Sequence, residues 1–422
     1  MQTLTAPEGG TPTLIETPSA FAAAIKEIAA GHGPIAIDVE RASGYRYSAR
    51  AYLIQIFRRG GGLHLIDPIP LHGRAEITEL QALLEGEESI IHASSQDLPS
   101  LREFGINPKF LFDTELGARL AGLERVGLGP LCESLLEISL AKEHSAVDWS
   151  IRPLRSEWLD YAALDVALLV DLRDAVAANL EAQGKIDWAR AEFAAALAAP
   201  KPAPRVDPWR RTSGMHQIKS RYELALIREL WLARDLRAQE IDLAPGRLLS
   251  DAVIIELAMK KPVDESSFRA LPIMKERIRN QVQREHLSMW WQVLSKAYAI
   301  SEAEWPQMRA KGEALPPARI WRNKFPLAAI HLANVRACLT EISLAKNIPI
   351  ENIISPELVR RVVFDEGRER SFANQPALES EIQNRLKEYG ARDWQIELAA
   401  PALAIGLAND QPPPEPQTPP VE

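Results

Sequence analysis

The run Ala199-Pro200-Lys201-Pro202-Ala203-Pro204-Arg205-Val206-Asp207-Pro208 divides this chain more firmly than any other stretch. Alternating prolines remove backbone donors and hold their neighbours extended, so neither a helix nor a central strand passes through such a segment. Residues 199–212 therefore read as a linker with independent structure on either side. The length of 422 residues agrees, because single cores stop growing at about 250–300 residues. Before the linker, short apolar runs bounded by glycine and proline alternate with helical periodicity. Beyond it, every patterned stretch is helical in period.

In the first part, Pro7, Gly9, Gly10 and Pro12 mark residues 1–12 as disordered. Strands are predicted at 13–16, 34–40, 51–57, 63–67, 89–93 and 110–113, and the short connections among 34–40, 51–57 and 63–67 imply an antiparallel meander. Helices are predicted over 17–30, 75–85, 98–103 and 115–121, with one long alanine-rich helical stretch from 157 to 197. Strands first, then strands alternating with helices, make 13–198 a mixed α/β domain.

The helical part shows an internal repeat. Leu248 to Leu257 aligns with Ile353 to Val362, and Asp242-Leu243-Ala244-Pro245 with Asn347-Ile348-Pro349-Ile350. In both copies a helix ends, a proline-containing turn follows, and Ser250 or Ser355 caps the next apolar helix. Two small helical domains of one type are predicted, at 213–298 and 318–408, with a boundary near Gly312 to Pro317 and a disordered proline-rich tail at 411–422.

The formal net charge of −8 is unevenly spread, at −11 over residues 1–200, +6 over 201–300 and −3 over 301–422. A basic middle segment beside an acidic one suits an enzyme that gathers cations in one domain and a polyanion in the next; it also suits ordinary solvated helix faces. Cys132 and Cys338 lack metal-ligand spacing and read as small buried hydrophobes in a reducing cytosol. No run approaches 18 consecutive apolar residues, and no basic-then-apolar leader opens the chain. A soluble, cytoplasmic protein is expected.

Within the predicted strand Pro34-Ile35-Ala36-Ile37-Asp38-Val39-Glu40, alternation puts Asp38 and Glu40 on one face. Two like charges in a buried strand are costly without a cation between them, and hard oxygen ligands favour Mg2+ or Mn2+. A strand that ends at Asp38, with both acids in solvent, is the competing reading. Asp97 follows the strand at 89–93 in Ser94-Ser95-Gln96-Asp97-Leu98, where an aspartate also serves as a helix N-cap. Tyr161 and Asp165 lie four residues apart on one helix face, as many surface pairs do.

Taken in order, Asp38, Glu40, Asp97, Tyr161 and Asp165 resemble the motif set of the DEDD superfamily of 3'-to-5' exonucleases, in the tyrosine branch, and within it the ribonuclease D family. Ile91-His92-Ala93-Ser94-Ser95-Gln96-Asp97-Leu98 is similar to that family's second motif. Asp148-Trp149-Ser150-Ile151-Arg152-Pro153-Leu154, followed by Tyr161-Ala162-Ala163-Leu164-Asp165-Val166, resembles the approach to its third. Position 160 is an aspartate, which excludes the branch that needs histidine there. The helical segments resemble the helicase-and-RNase-D C-terminal (HRDC) domain, carried in tandem.

The resemblance implies a ribonuclease H-like α/β exonuclease domain with a mixed sheet, followed by two small all-α domains. It implies a 3'-5' exoribonuclease releasing nucleoside 5'-monophosphates from RNA, with tRNA precursors as substrate. Asp38, Glu40, Asp97 and Asp165 would hold two divalent ions, Mg2+ or Mn2+, and Tyr161 would orient the attacking water. No membrane or obligate protein partner is expected. Gln55, His92, Lys142, Trp149, Arg152, Arg234 and Arg237 are candidates for substrate contacts, although His92 equally fits a hydrogen-bonded strand end, and Trp149 with Arg152 a core pair. Asp67 and Asp113 read as structural. The rival functions are a single-strand DNA exonuclease and an inactive RNA-binding adaptor. No polymerase or helicase motif accompanies the domain, and clustered carboxylates serve no purpose in an adaptor.

Overall fold

The structure is a computed structural model and describes residues 2–140, 147–201, 203–308, 315–367 and 378–413. Its N-terminal domain is built on strands β1 (Gln2–Leu4), β2 (Leu14–Ile15), β3 (Ile35–Arg41), β4 (Ala51–Arg58), β5 (Gly62–Ile66), β6 (Glu88–Ile91), β7 (Phe110–Asp113) and β8 (Ile138–Leu140). Six of them form one sheet in the order β2-β5-β4-β3-β6-β7. The expected meander β3-β4-β5 is antiparallel, whereas β6, β7 and β2 join in parallel. β4 is buried along almost its whole length, as a central strand covered on both faces must be. Its side chains alternate between two cores: Leu53 packs with Trp158 and Ala162, while Ile54 and Ile56 pack with Phe21 and Ile25.

Two expectations change here. Residues 2–4 are not disordered but pair in parallel with β8, where their backbone groups find ladder partners. The glycines that read as disorder serve a local turn, with Gly9 and Gly10 at φ of 90° and 85°. Thr11 then donates a hydrogen bond to Asp160. The long helical stretch at 157–197 resolves into three helices, Ser156–Ala167, Leu169–Ala182 and Ile186–Ala198. The last break falls at Gly184, at φ 66°.

No regular element spans the proline-rich run, and helices follow it. The repeat extends further than the sequence match: the helices Arg221–Glu240, Pro245–Leu248 and Asp251–Lys260 start 105 residues before Pro326–Lys346, Ile350–Ile353 and Pro356–Gly367. Even the left-handed turn residues correspond, Asp242 at φ 48° and Asn347 at φ 49°.

The two copies use that same turn to dock on the nuclease domain. Asp242 accepts from the Ser48 backbone at 2.8 Å and from Arg50 at 3.0 Å, and Arg247 donates to the Gly44 carbonyl at 2.6 Å. On the other copy, Asn347 accepts through its carbonyl from Lys185 Nζ at 3.2 Å, and a Cβ on Gly122 would lie only 2.3 Å from Asn347. Lys185 also donates to the Leu120 carbonyl, and burial pulls its pKa down to about 8.

The first helical domain keeps its own core around Trp290, Phe268 and Leu230. The second shares one continuous core with the nuclease domain. Trp188 stacks on Trp394 at 5.1 Å between ring centres, and Glu192 accepts from Arg392 and from Trp394 Nε1 at 3.0 Å. Pro326–Lys346 is the one helix among the described residues long and apolar enough, by length and composition, to cross a membrane. Here it is the central helix of this domain, packed along Asp393–Leu407. Gln411, the first residue of the expected tail, has its carbonyl held by Asn334 at 2.9 Å, and residues 414–422 lie outside the described set.

At the crossing of those two helices a Cβ on Gly406 would stand 2.6 Å from the Val335 backbone. Backbone cannot yield as a side chain does, so Gly406→Ala should destabilise the second helical domain by about 1–3 kcal/mol. A lowered urea midpoint with unchanged slope is the expected result; a wild-type midpoint would show that the crossing relaxes freely.

Candidate active site

β3 carries the first two acids to the face covered by the Ser156–Ala167 helix. Asp38 stands opposite Gln55 and Glu40 opposite Leu53 in the antiparallel register. The helix delivers Asp165 to the same point, and carboxylate oxygens of Asp38, Glu40 and Asp165 lie within 4.8 Å of one another. Tyr161, one turn earlier, interacts through its hydroxyl with Asp165.

Asp97 reaches the cluster by a different device. It occupies the cap position of the Leu98–Phe104 helix, yet its side chain makes no capping hydrogen bond. The turn before it is held instead by Asp113, which accepts from the backbone of Ala93 at 3.2 Å, Ser94 at 2.8 Å and Leu116 at 3.0 Å. With Ala93 in the left-handed region at φ 56°, the chain reverses tightly and leaves the Asp97 carboxylate free to face Asp38. The expectation that Asp113 is structural agrees with this geometry. So does that for Asp67, which caps Ile69 at 2.9 Å and pairs with Arg152.

The electrostatics are those of an anionic cluster short of a counter-charge. Burial raises Asp38 to about 6, against the opposing pull of the Val39 amide and Arg41. Burial and the Asp38 charge raise Asp97 and Asp165 each to about 8. Glu40 is driven well above the usual carboxylate range by burial and then by Asp38, Asp165 and Asp97 together. Burial followed by the charges of Asp165 and Glu40 also raises Tyr161, so its hydroxyl stays protonated. Hard oxygen donors at this density suit a divalent cation, which removes the repulsion that otherwise lifts these values. Among the described residues the cluster contains no thiolate or imidazole ligand.

The second-tier candidates fare differently. Gln55 is fully buried beside Asp38, and both its amide atoms lack a partner. His92 is hydrogen-bonded to Thr114 Oγ1 at 2.9 Å, and burial lowers its pKa. Trp149 is 1% exposed and packs edge-on against Trp158, so no face is open to a base. Arg152 is committed to Asp67 and to the carbonyls of Tyr52 and Trp149. Arg234 is buried against the Leu249 carbonyl and Asp251. These three build the fold: Trp149 and Arg234 are buried, and Arg152 is tied to Asp67 and two backbone carbonyls. Arg237 is partly exposed on the first helical domain, bonded to His286 at 2.9 Å and to Glu240. Lys142 lies outside the described residues. One neighbour went unread in the sequence: Arg41, directly after Glu40, whose Nε lies 3.8 Å from Asp97.

Comparison with known proteins matches these features. Residues 12–181 match the 3'-5' exonuclease family, 223–288 the HRDC domain, and 314–407 the 3' to 5' exonuclease C-terminal domain. Ribonuclease D of Acidiphilium cryptum is 30% identical over 366 residues, covering 84% of this chain and 87% of that protein. Ribonuclease D of Shewanella sp. is 29% identical over 322 residues, covering 75% and 77%. A crystal structure of a protein from Bifidobacterium adolescentis superposes with a TM-score of 0.88 at 37% identity, over 97% of this chain and all of that one. Escherichia coli RNase D superposes at 0.61 and 25% identity, over 89% and 99%.

Fold and acidic site together define a 3'-5' exonuclease that works with divalent metal. The chain belongs to the ribonuclease D family, and its activity is that of a 3'-5' exoribonuclease.

Carboxyls with raised folded-state pKa values weaken the metal-free protein as pH climbs, since unfolded carboxylates already ionise near pH 4. That loss accumulates from about pH 4 through the values near 6 and 8 given above. A bound cation offsets it and meets less competition from protons at high pH. Saturating Mg2+ or Mn2+ should therefore raise Tm more at about pH 8.5 than near pH 6. Asp38→Asn should shrink the difference in a thermal-shift measurement; an equal metal shift at both pH values would contradict the coupling.

Proposed function

We propose that Asp38, Glu40, Asp97 and Asp165 hold two divalent ions, Mg2+ or Mn2+, and that the enzyme matures tRNA precursors from their 3' ends in the cytoplasm. The convergence of three carboxylates within 4.8 Å, with an uncapped Asp97 turned toward them, is the observation that carries this reading. When bound, the ions supply positive charge to the phosphodiester and lower the pKa of the attacking water.

Asp38 is suited to serve both ions, because its charge acts on Glu40, Asp97 and Asp165 alike. Glu40 and Asp165 would hold an ion that activates the attacking water, and Asp97 would help hold one that offsets charge on the leaving 3' oxygen. Tyr161 keeps its proton and orients water through its hydroxyl, fixed by its contact with Asp165. Gln55, opposite Asp38 on β4, is fully buried and so is not a surface contact for RNA. His92, Arg237 and Lys142 remain candidates for RNA contact.

The tRNA reading draws support from Escherichia coli RNase D, an exoribonuclease involved in structured RNA processing. The basic first helical domain, docked beside the active-site strand through Asp242 and Arg247, is placed to present a polyanion.

A tRNA precursor and matched single strands of RNA and DNA, all labelled at the 3' end, test the proposal. Metal-dependent release of mononucleotides from the RNAs should dominate, and Asp38→Ala should abolish it. Preference for DNA, or equal activity of the variant, would defeat the reading. Tyr161→Phe should lower kcat about a hundredfold with KM nearly unchanged, as expected for a misoriented nucleophile.

A further inference from the structure

Charge balance at the site is incomplete once substrate arrives. Four carboxylates offset two divalent ions, and the phosphodiester then brings a negative charge with no cation assigned to it. Arg41 stands where that charge has to be met. Strict alternation would aim the residue after Glu40 at the opposite face of the sheet. The register shifts between Glu40 and Arg41, with Glu40 opposite Leu53 but Arg41 opposite Ala51. The extra residue, Tyr52, belongs to β4, and the regular pairing gives way where β3 ends at Arg41. From this strand end the guanidinium reaches the lip of the cluster, with Nε 3.8 Å from Asp97 Oδ1 and Nη2 donating to Gln96 Oε1 at 3.1 Å.

The contact with Asp97 is long and single, unlike a bidentate pair. Nη1 makes no hydrogen bond among the described residues. The side chain keeps 25% of its surface open to solvent, against 8% for Asp97. Among the described residues Arg41 is the cation whose charge acts on Asp38, Glu40 and Asp97. A fixed fork of donors, half committed and facing outward beside the acids, matches the oxygens of a phosphate.

We propose that Arg41 is a substrate-binding residue: its guanidinium pairs with the non-bridging oxygens of the 3'-terminal phosphodiester and gives up Asp97 to the metal. This rests on the reading of the four acids as a metal cluster. The role is available because Arg41 ends β3, from where its long side chain reaches Gln96 and Asp97.

Steady-state kinetics on 3'-labelled single-stranded RNA, with the full-length protein and a divalent-ion titration for each variant, test the assignment. Arg41→Gln should lower kcat/KM about tenfold to a hundredfold, chiefly through KM, as loss of a charge-assisted hydrogen bond does. The ion concentration for half-maximal activity should stay level or fall, because a competitor for Asp97 has gone. Arg41→Lys should recover part of the loss, and added guanidinium ion should rescue Arg41→Ala. Wild-type kcat/KM in Arg41→Gln would overturn the proposal. So would a loss that disappears on raising the divalent ion, which would make Arg41 only a brace for Asp97. Asp38→Ala in parallel separates the layers: if it is inactive while Arg41→Gln is unimpaired, only the role of Arg41 falls, whereas full activity of Asp38→Ala would sink the cluster itself.

Discussion

Bringing four carboxylates to one partly buried point costs free energy that the protein without metal recovers only in part, by holding protons on groups that would otherwise ionise near pH 4. Around this centre much of the nuclease domain serves as scaffolding. The β3–β4 register sets Asp38 and Glu40, the Ser156–Ala167 helix sets Asp165 and Tyr161, and a buried aspartate from the end of β7 sets the turn that carries Asp97. None of these supports acts on its neighbour in sequence. Each is a long-range packing or hydrogen-bond decision, and their common effect is to hold like charges closer than they would settle by themselves.

The helical domains depend on the same scaffold in unequal ways. Both dock through the left-handed turn that follows their first long helix, at Asp242 and Asn347. The first copy keeps a core of its own and contacts the loop just after the active-site strand. The second fuses its core with the nuclease through Trp188, Trp394 and Glu192. The same order of helices thus makes, in one copy, a module beside the site and, in the other, a wall of the nuclease domain. Net charge follows the division, since the basic excess lies in residues 201–300 and not in those that follow.

Some of this was legible without coordinates. Period two places Asp38 beside Glu40, and period 3.6 places Tyr161 beside Asp165. Those two local rules pair the residues, and the resemblance of their order along the chain to a known motif set joined the pairs with Asp97 and implied the sheet that bears them. Local rules failed where the deciding contact was distant. Asp97 read equally well as a cap until Asp113 was seen to hold the turn in its place. Trp149, Arg152 and Arg234 have the chemistry of nucleic-acid contacts, and only the tertiary structure buries Trp149 against Trp158 and binds the two arginines to Asp67, Asp251 and backbone carbonyls.

What the sequence determined by itself is therefore the pairing of candidate site residues, the alternation of strands and helices, and the division at the proline-rich linker, because each is written in residue type and short-range period. Tertiary structure alone decided which polar side chains stay open to a substrate, that β1 finds a partner in β8, and that the second helical domain belongs to the nuclease core. It also decided that Arg41 turns toward the acids. Its partners Gln96 and Asp97 are distant in sequence, and no short-range period in the residues flanking Arg41 announces them.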